Sequence, residues 1–356
     1  MKVIYVLHSH KAGGAERHLL DLMHGTAALG VEPLYAGPMD GWLGAQAEAA
    51  GVHCHHLPYH GLYDMPSLLR LARLARREHA ALIHGHLTRG AYYAGWAGRL
   101  AGRPSVATAH STNAGKHFGR ADRIIAVSDA VRRFLIERGY DAGRIVTVHN
   151  GVPDATAHAP SREAARAALG LAPTQIALIM VARFIPDKGH DIALDALAHH
   201  RDAPWTLLLA GAPDGPTAAP LRARIAALGL AERVRFLGHL DDVAPLYAAA
   251  DALLAPSRRE AFSLTLLEAA AWRLPVIAST VGGNGEAVVD GVTGLLTPPD
   301  DVPAFAAALG RLLADGAERE ALGKRARARY LESFTCATMC ASTRALYADA
   351  LSDRQP

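Results

Sequence analysis

Short apolar runs alternate with helix-period segments along almost the whole chain. KVIYVL opens it, followed by a helical stretch, GGAERHLLDLMHGTAALG, closed by Gly30, and then by the apolar run PLYAG. The amphipathic helix MPSLLRLARLARREHA, the strand ALIHGH, the helix AYYAGWAGRLAG and the strand PSVATAH continue the pattern. ADRIIAVS and RIVTVHNG read as later strands around the helix DAVRRFLIERG. Apolar runs without polar alternation, spaced by helices, predict parallel strands covered on both faces.

Between Gly151 and Pro173 the pattern loosens into Pro, Ala, Thr and Asp around one short helix, SREAARAALG, which places an interdomain linker there. The alternation then restarts with IALIMVAR, DKGHDIALDALAHH, WTLLLAG, a helix around LRARIAALG, VRFLG, VAPLYAAA and ALLAPS. Closing helices are expected from about Val302 to Tyr330 and from about Cys336 to Leu351. The fold class is α/β: two Rossmann-like doubly wound domains, 1–158 and 159–335, and a terminal helical segment, 336–356. Such sheets bind ligands at the carboxyl ends of their strands, so both domains are expected to face one cleft. VIYVLHSHKAGGAERHLLDL and LIMVARFIPDKGHDIALDAL echo one another as strand, glycine-containing loop and helix. Neither loop carries G-x-G-x-x-G, so a dinucleotide fingerprint is absent.

Length and composition narrow this picture. The 356 residues are half hydrophobic and one-fifth charged, as in a globular protein of two domains. No apolar run reaches the roughly 18 residues a bilayer span needs, and the N-terminal apolar run is too short for a signal peptide. Three cysteines, Cys54, Cys336 and Cys340, form no disulfide framework, which suits a reducing, cytoplasmic setting. The net charge of +3 is uneven: 17 Lys/Arg against 12 Asp/Glu in 1–158 gives +5, and 20 against 22 in 159–356 gives −2. The basic excess lies in RLARLARR (Arg70 to Arg77) and in the arginines from Arg120 to Arg144. It reads either as a solvated helix surface or as a face toward anionic lipid or an anionic acceptor. Aromatics do not interleave with these arginines, so nucleic acid is not an expected partner.

The segment from Ser257 to Glu286, SRREAFSLTLLEAAAWRLPVIASTVGGNGE, is the densest in candidate chemistry. Ser263 is placed to cap a helix that begins at Leu264, with Glu260 just before it and Glu268 eight residues later inside it. The helix N-terminus, with its unpaired N–H groups, suits an anion such as a diphosphate. Pro275 ends the helix, PVIAS is a strand, and Gly282, Gly283, Asn284 and Gly285 form a loop in which Asn284 can take a left-handed conformation. Arg183 and Lys188 follow a strand end and read either as two surface cations or as a grip on a diphosphate leaving group. Gly13 and Gly14 allow close approach of the backbone to a phosphate or sugar, or make only a tight turn; Glu16 opens the helix after them.

Two glutamates also raise a hydrolase reading. Eight helical residues span about 12 Å, which does not give the roughly 5–9.5 Å carboxyl spacing of glycosidases. Glu268 is therefore assigned to ribose hydroxyls and Glu260 to a donor-sugar hydroxyl. Among the nineteen histidines, His53, His55, His56 and His60 form a local cluster, and His84 and His86 share a strand face. Their spacings match no zinc signature, and there is no D-x-D segment, so neither a metal site nor any other cofactor is expected. His110 ends an apolar strand where it can meet a sugar hydroxyl or phosphate, or be a satisfied loop histidine.

Taken in order, GGAERHLLDL, HGHLTRGAYYAG, TAHST, ADRIIAVSDAVRRFL, RIVTVHNGV, VARFIPDKGHDIALDAL, VRFLGHLDDVAPLYAAADALLAPSRREAFSLTLLEAAAWRLPVIAS and VGGNGEAVVDGVTGLL resemble the retaining glycosyltransferases of family 4, of GT-B fold, over almost the whole chain. The resemblance implies hexosyl transfer from a nucleotide diphosphate sugar, UDP-linked, to a carbohydrate or lipid-linked acceptor of the cell envelope, such as lipopolysaccharide or exopolysaccharide. It also implies that Arg183 and Lys188 hold the diphosphate and that Glu260 and Glu268 are the family's E-x7-E pair, with Phe262, Ser263 and Leu264 between them at the donor. Gly13 and Gly14 would lie at the phosphate and acceptor side, His110 near the donor sugar, and Gly238, His239 and Leu240 along the base. The final helix would cross back onto the first domain. Ala261 and Ser263 stand where the family usually has glycine. Rival classes are a sugar-nucleotide epimerase or hydrolase on the same fold, a non-catalytic nucleotide-sugar-binding protein, and an anionic-lipid-binding module.

Overall fold

Two wholly parallel sheets form from these apolar runs. The structure is a computed structural model and describes residues 1–112, 117–212 and 218–353. It divides into two units, one of Met1–Pro153 joined by the chain from Phe334 onward, the other of Asp154–Ser333.

The first unit runs β1 (Lys2–Val6), α1 (Gly14–Ala27), β2 (Glu32–Gly37), α2 (Trp42–Ala49), β3 (His53–His56), α3 (Met65–Arg77) and β4 (Leu82–His86). It continues with α4 (Leu87–Ala101), β5 (Ser105–Ala109), β6 (Arg123–Ala126), α5 (Asp129–Glu137) and β7 (Ile145–Thr147). The strand order is β3-β2-β1-β4-β5-β6-β7, so the chain winds one way from β1 and then the other way from β4. Every residue of β4 and β5 is buried, as expected of central strands packed between helices. HCHH, read from sequence as a histidine cluster, is the edge strand β3, with Leu34 opposite His53 and Gly37 opposite His56. An edge position tolerates these side chains because His53 and His56 remain in solvent.

The second unit runs α6 (Arg162–Ala168), β8 (Ile176–Val181), α7 (His190–Ala198), β9 (Trp205–Ala210), α8 (Ala218–Ala227), β10 (Val234–Gly238), α9 (Ala244–Ala249) and β11 (Ala252–Ala255). After it come α10 (Leu264–Ala271), β12 (Val276–Ser279), α11 (Asn284–Ala287), β13 (Leu295–Thr297), α12 (Val302–Ala314) and α13 (Gly316–Ser333). The order β10-β9-β8-β11-β12-β13 puts the reversal of winding between β8 and β11. Leu178, Met180, Leu207, Leu209, Phe305 and Leu309 fill one face of this sheet.

Three sequence expectations are corrected. The stretch from Val302 to Tyr330 is two helices, because Asp315 is extended and its Oδ1 accepts the N–H groups of Ala317 at 2.8 Å and Glu318 at 3.0 Å, starting α13 afresh. The helix expected from Asp187 begins only at His190, since Gly189 is left-handed (φ +64°). The glycine segment at 282–285 is not all loop: Asn284 opens the short helix α11 and its Nδ2 donates to Ser279 O at 3.0 Å, leaving Gly282 as the left-handed residue (φ +53°).

From Thr335 the chain returns to the first unit as α14 (Cys336–Ser352). Met339, Cys340, Leu346 and Tyr347 join Leu19, Leu22 and Met23 of α1 in one apolar cluster. A buried hydrogen-bond chain secures this helix: Thr108 Oγ1 to His84 Nε2 at 2.7 Å, His84 Nδ1 to Tyr347 Oη at 2.7 Å, Tyr347 to Tyr5 at 3.3 Å, and Tyr5 to Thr26 at 3.0 Å. Each polar side chain of this hydrogen-bond chain thus has a partner, as low-dielectric surroundings require. No helix among the described residues is long and apolar enough to cross a membrane.

Candidate active site

In the second unit the candidate residues sit at the carboxyl end of the sheet. The crevice at the reversal between β8 and β11 is where ligands of open α/β sheets bind. Lys188 comes from the loop after β8 and Glu260 from the loop after β11, and Lys188 Nζ stands 2.5 Å from Glu260 Oε2. Their side chains are 22% and 15% exposed, so the pair is neither fully solvated nor sealed from a ligand.

The local sequence explains how each is held. Phe184, buried between His190 and Phe236 with ring centroids at 5.0 and 5.5 Å, anchors the start of the β8 loop. A 3₁₀ turn at Pro186–Lys188 then presents the lysine, and Gly189 lets the chain pass so close to Pro256 that a Cβ would lie 1.9 Å from its carbonyl oxygen. Arg258 braces this loop to the next: its N–H donates to Asp187 O at 2.7 Å, and its guanidinium reaches Pro186 O, both oxygens of Asp191 and Asp300 Oδ1. Arg259 adds an ion pair with Asp187 at 2.7 Å. Arg183 is exposed and has no side-chain ion pair among the described residues.

Behind Glu260 the backbone is closed by Gly282. A Cβ there would stand 1.7 Å from Glu260 O, and Gly283 N donates to Ala261 O at 2.9 Å. Ala261 and Phe262 are buried, and neither Ala261 nor Ser263 is left-handed, so the backbone does not require glycine at either position. Ser263 occupies the N-cap of α10, but its Oγ pairs with Thr265 Oγ1 at 3.0 Å and does not cap the helix amides. Glu268, inside α10, accepts a hydrogen bond from Tyr247 Oη at 2.7 Å, which supplies the polar partner a carboxylate among Leu and Ala needs. Gly238 (φ +75°), His239 and Leu240 follow the end of β10, where Gly211 N donates to Gly238 O at 2.8 Å. With Glu260 salt-bridged and Glu268 on a tyrosine, neither carboxyl is arranged as half of a hydrolytic acid/base pair.

In the first unit Gly13, Gly14 and His110 also lie at the carboxyl end of the sheet, after β1 and β5. Gly13 is the N-cap of α1 without a side-chain cap, and a Cβ on it would meet Glu16 Oε2 at 2.8 Å. His110 does not stand alone, a feature the linear sequence does not display. His86 Nδ1 lies 3.0 Å from His110 Nε2, and the His18 ring meets the His110 ring edge-on at 4.7 Å. Burial pushes the imidazolium pKa of His18 down to about 4 and those of His84, His86 and His110 well below the ordinary range, so the cluster is neutral. His8 accepts from Arg89 at the same sheet edge, with 2.5 Å between Nη1 and Nδ1.

The family model described as Glycosyl transferases group 1 matches residues 161–329, and that described as Glycosyltransferase Family 4 matches residues 12–156. The D-inositol 3-phosphate glycosyltransferase of Kineococcus radiotolerans is 36% identical over 313 residues, covering 82% of this chain and 68% of its own. A protein of the same name from Mycobacterium sp. (strain KMS) is 34% identical, over 83% of this chain and 75% of its own. Anabaena HepE, solved with UDP-glucose, superposes with a TM-score of 0.87 at 26% identity, over 99% of this chain and 100% of its own. The glycosyltransferase of Rickettsia africae ESF-5 shares the fold, with a TM-score of 0.90 at 19% identity over 99% of both chains. Two parallel Rossmann-like units, the returning terminal helix and these likenesses together place the chain in glycosyltransferase family 4, with the GT-B fold and glycosyltransferase activity.

Proposed function

We propose that the protein transfers a hexose from a UDP-linked donor to an acceptor hydroxyl with retention of anomeric configuration and without a catalytic metal ion. The observation that carries this reading is the Lys188–Glu260 pair at the β8/β11 crevice, backed by Gly282 and followed by a helix whose N-terminal amides have no side-chain cap. An incoming diphosphate competes with Glu260 for the ammonium; Lys188 and Arg183 then supply the positive charge that a metal would otherwise bring. Glu260, released from Lys188, is free to accept from a donor-sugar hydroxyl, and Glu268 is assigned to the ribose. The acceptor hydroxyl attacks from the leaving-group face, and a phosphate oxygen takes its proton, so no enzyme nucleophile is required. His110 is assigned to the donor sugar, and Gly13 and Gly14 to the acceptor side. The UDP-glucose complex of the Anabaena relative supports the choice of base.

Incubation with UDP-glucose and a crude bacterial lipid and glycan extract tests this. A glycosylated product carrying the donor's α configuration, formed at the same rate with EDTA present, is the expected outcome. UDP release that is indifferent to the extract, or an epimerised nucleotide sugar, would point to a hydrolase or epimerase instead.

A lipid-linked or surface-polysaccharide acceptor of the cell envelope fits one face of the first unit. Tyr63, Met65, Leu69 and Leu100 are 64%, 51%, 40% and 42% exposed, and they adjoin the arginines Arg70, Arg73, Arg76 and Arg77 of α3. Exposed apolar and aromatic side chains beside a basic stripe suit the surface of an anionic membrane. Vesicles rich in phosphatidylglycerol should sediment the protein, and reversing the charge of those four arginines should leave it in the supernatant. Equal sedimentation of both would remove the membrane from the account.

A further inference from the structure

We propose that His18, His86 and His110 form a binding site for one transition-metal ion of the zinc, cobalt or nickel class. The three rings come from α1, the end of β4 and the segment after β5, and each can place one ring nitrogen within 4.8 Å of the other two. His86 Nδ1 and His110 Nε2 are 3.0 Å apart, close to the roughly 3.3 Å between two nitrogens on a tetrahedral zinc with bonds of about 2.0–2.1 Å. Hydrogen bonding within the protein leaves this cluster incomplete: His18 Nδ1 is buried and has no partner. Buried polar atoms of that kind call for an explanation, and a bound ion is one.

The third ring has the kind of contact that orients metal-ligating histidines: the Asn150 side chain hydrogen-bonds the His18 imidazole. On binding, the proton in the His86–His110 hydrogen bond moves to the other nitrogen of the same ring, so the ligands stay neutral and no proton is lost. Three imidazoles leave a fourth position for water or a ligand oxygen. Since the proposed function assigns His110 to the donor sugar, an ion here would withdraw it and inhibit transfer; that consequence rests on the proposed function, whereas binding does not.

The test is a cobalt(II) titration of the full chain after EDTA treatment and dialysis, followed by visible absorbance. The wild type should bind one equivalent with a tetrahedral-type spectrum. His18→Ala and His110→Ala should each abolish it, and Asn150→Ala should weaken it about 10- to 100-fold. The triple variant His53→Ala/His55→Ala/His56→Ala, on the edge strand, should bind like the wild type, and circular dichroism of each variant controls for folding. No binding, binding that survives loss of His18 and His110 in folded protein, or loss only in the edge-strand variant would overturn the site. A metal-free protein that transfers no sugar yet binds cobalt as described would instead retire the proposed function and leave this inference standing.

Discussion

Lys188→Ala is expected to lower kcat by about 10²- to 10³-fold, the range for removing one donor aimed at charge that develops in the transition state. Two effects combine. The ammonium that meets the departing diphosphate is lost, and Glu260, only 15% exposed, is left without the partner now 2.5 Å away. That carboxylate would repel the donor, so KM should rise as well, although the larger change falls in kcat because the phosphate charge grows as the glycosidic bond breaks. Lys188→Arg should recover only part of the rate, since a planar fork does not reproduce a compact ammonium at the end of a 3₁₀ turn. Steady-state kinetics with UDP-glucose, with melting temperatures to exclude unfolding, check this. A Lys188→Ala enzyme with unchanged kcat would remove the lysine from the mechanism.

Gly282→Ala is the second large effect expected, and it acts through the backbone. The residue is left-handed at φ +53°, and an added methyl would stand 1.7 Å from Glu260 O. A left-handed alanine costs about 1–2 kcal/mol, and the overlap cannot be relieved by a flexible side chain because the obstacle is main chain. The segment carrying Glu260 must therefore shift, and a displacement of about 1 Å in a positioning group can cost about 100-fold in rate. The variant should melt lower than the wild type and lose activity on that scale. The comparison is Gly291→Ala, also left-handed (φ +67°) but with no heavy atom within 4 Å of the added methyl. It should show the loss of stability without the loss of rate, and equal rates for both variants would show that the close approach at Gly282 does not position Glu260.

Much of the architecture is legible from the pattern of apolar runs, since strands such as IALIMV and SVATA are buried on both faces and need no polar alternation. Short or polar elements are not. HCHH pairs as an edge strand only because β2 is already there, and α2 is a short helix without a side-chain cap or a strong amphipathic pattern. The helix break at Asp315 is set by a side-chain cap and not by apolar spacing. At the candidate site the residue types could be read from the chain, whereas their partnerships could not. Lys188 and Glu260 are 72 positions apart, and Tyr247 is 21 from Glu268; only the winding of the sheet brings them together. The histidine cluster likewise depends on the winding of the first sheet, in which β4 lies between β1 and β5 and the chain after β1 carries His18 on α1.

A structure of the protein with UDP bound bears most directly on whether the β8/β11 crevice is the donor site. Lys188 Nζ should leave Glu260 for a phosphate oxygen, with Glu268 on the ribose and the first-turn amides of α10 facing the diphosphate. UDP lodged elsewhere, with the Lys188–Glu260 pair intact, would contradict the account.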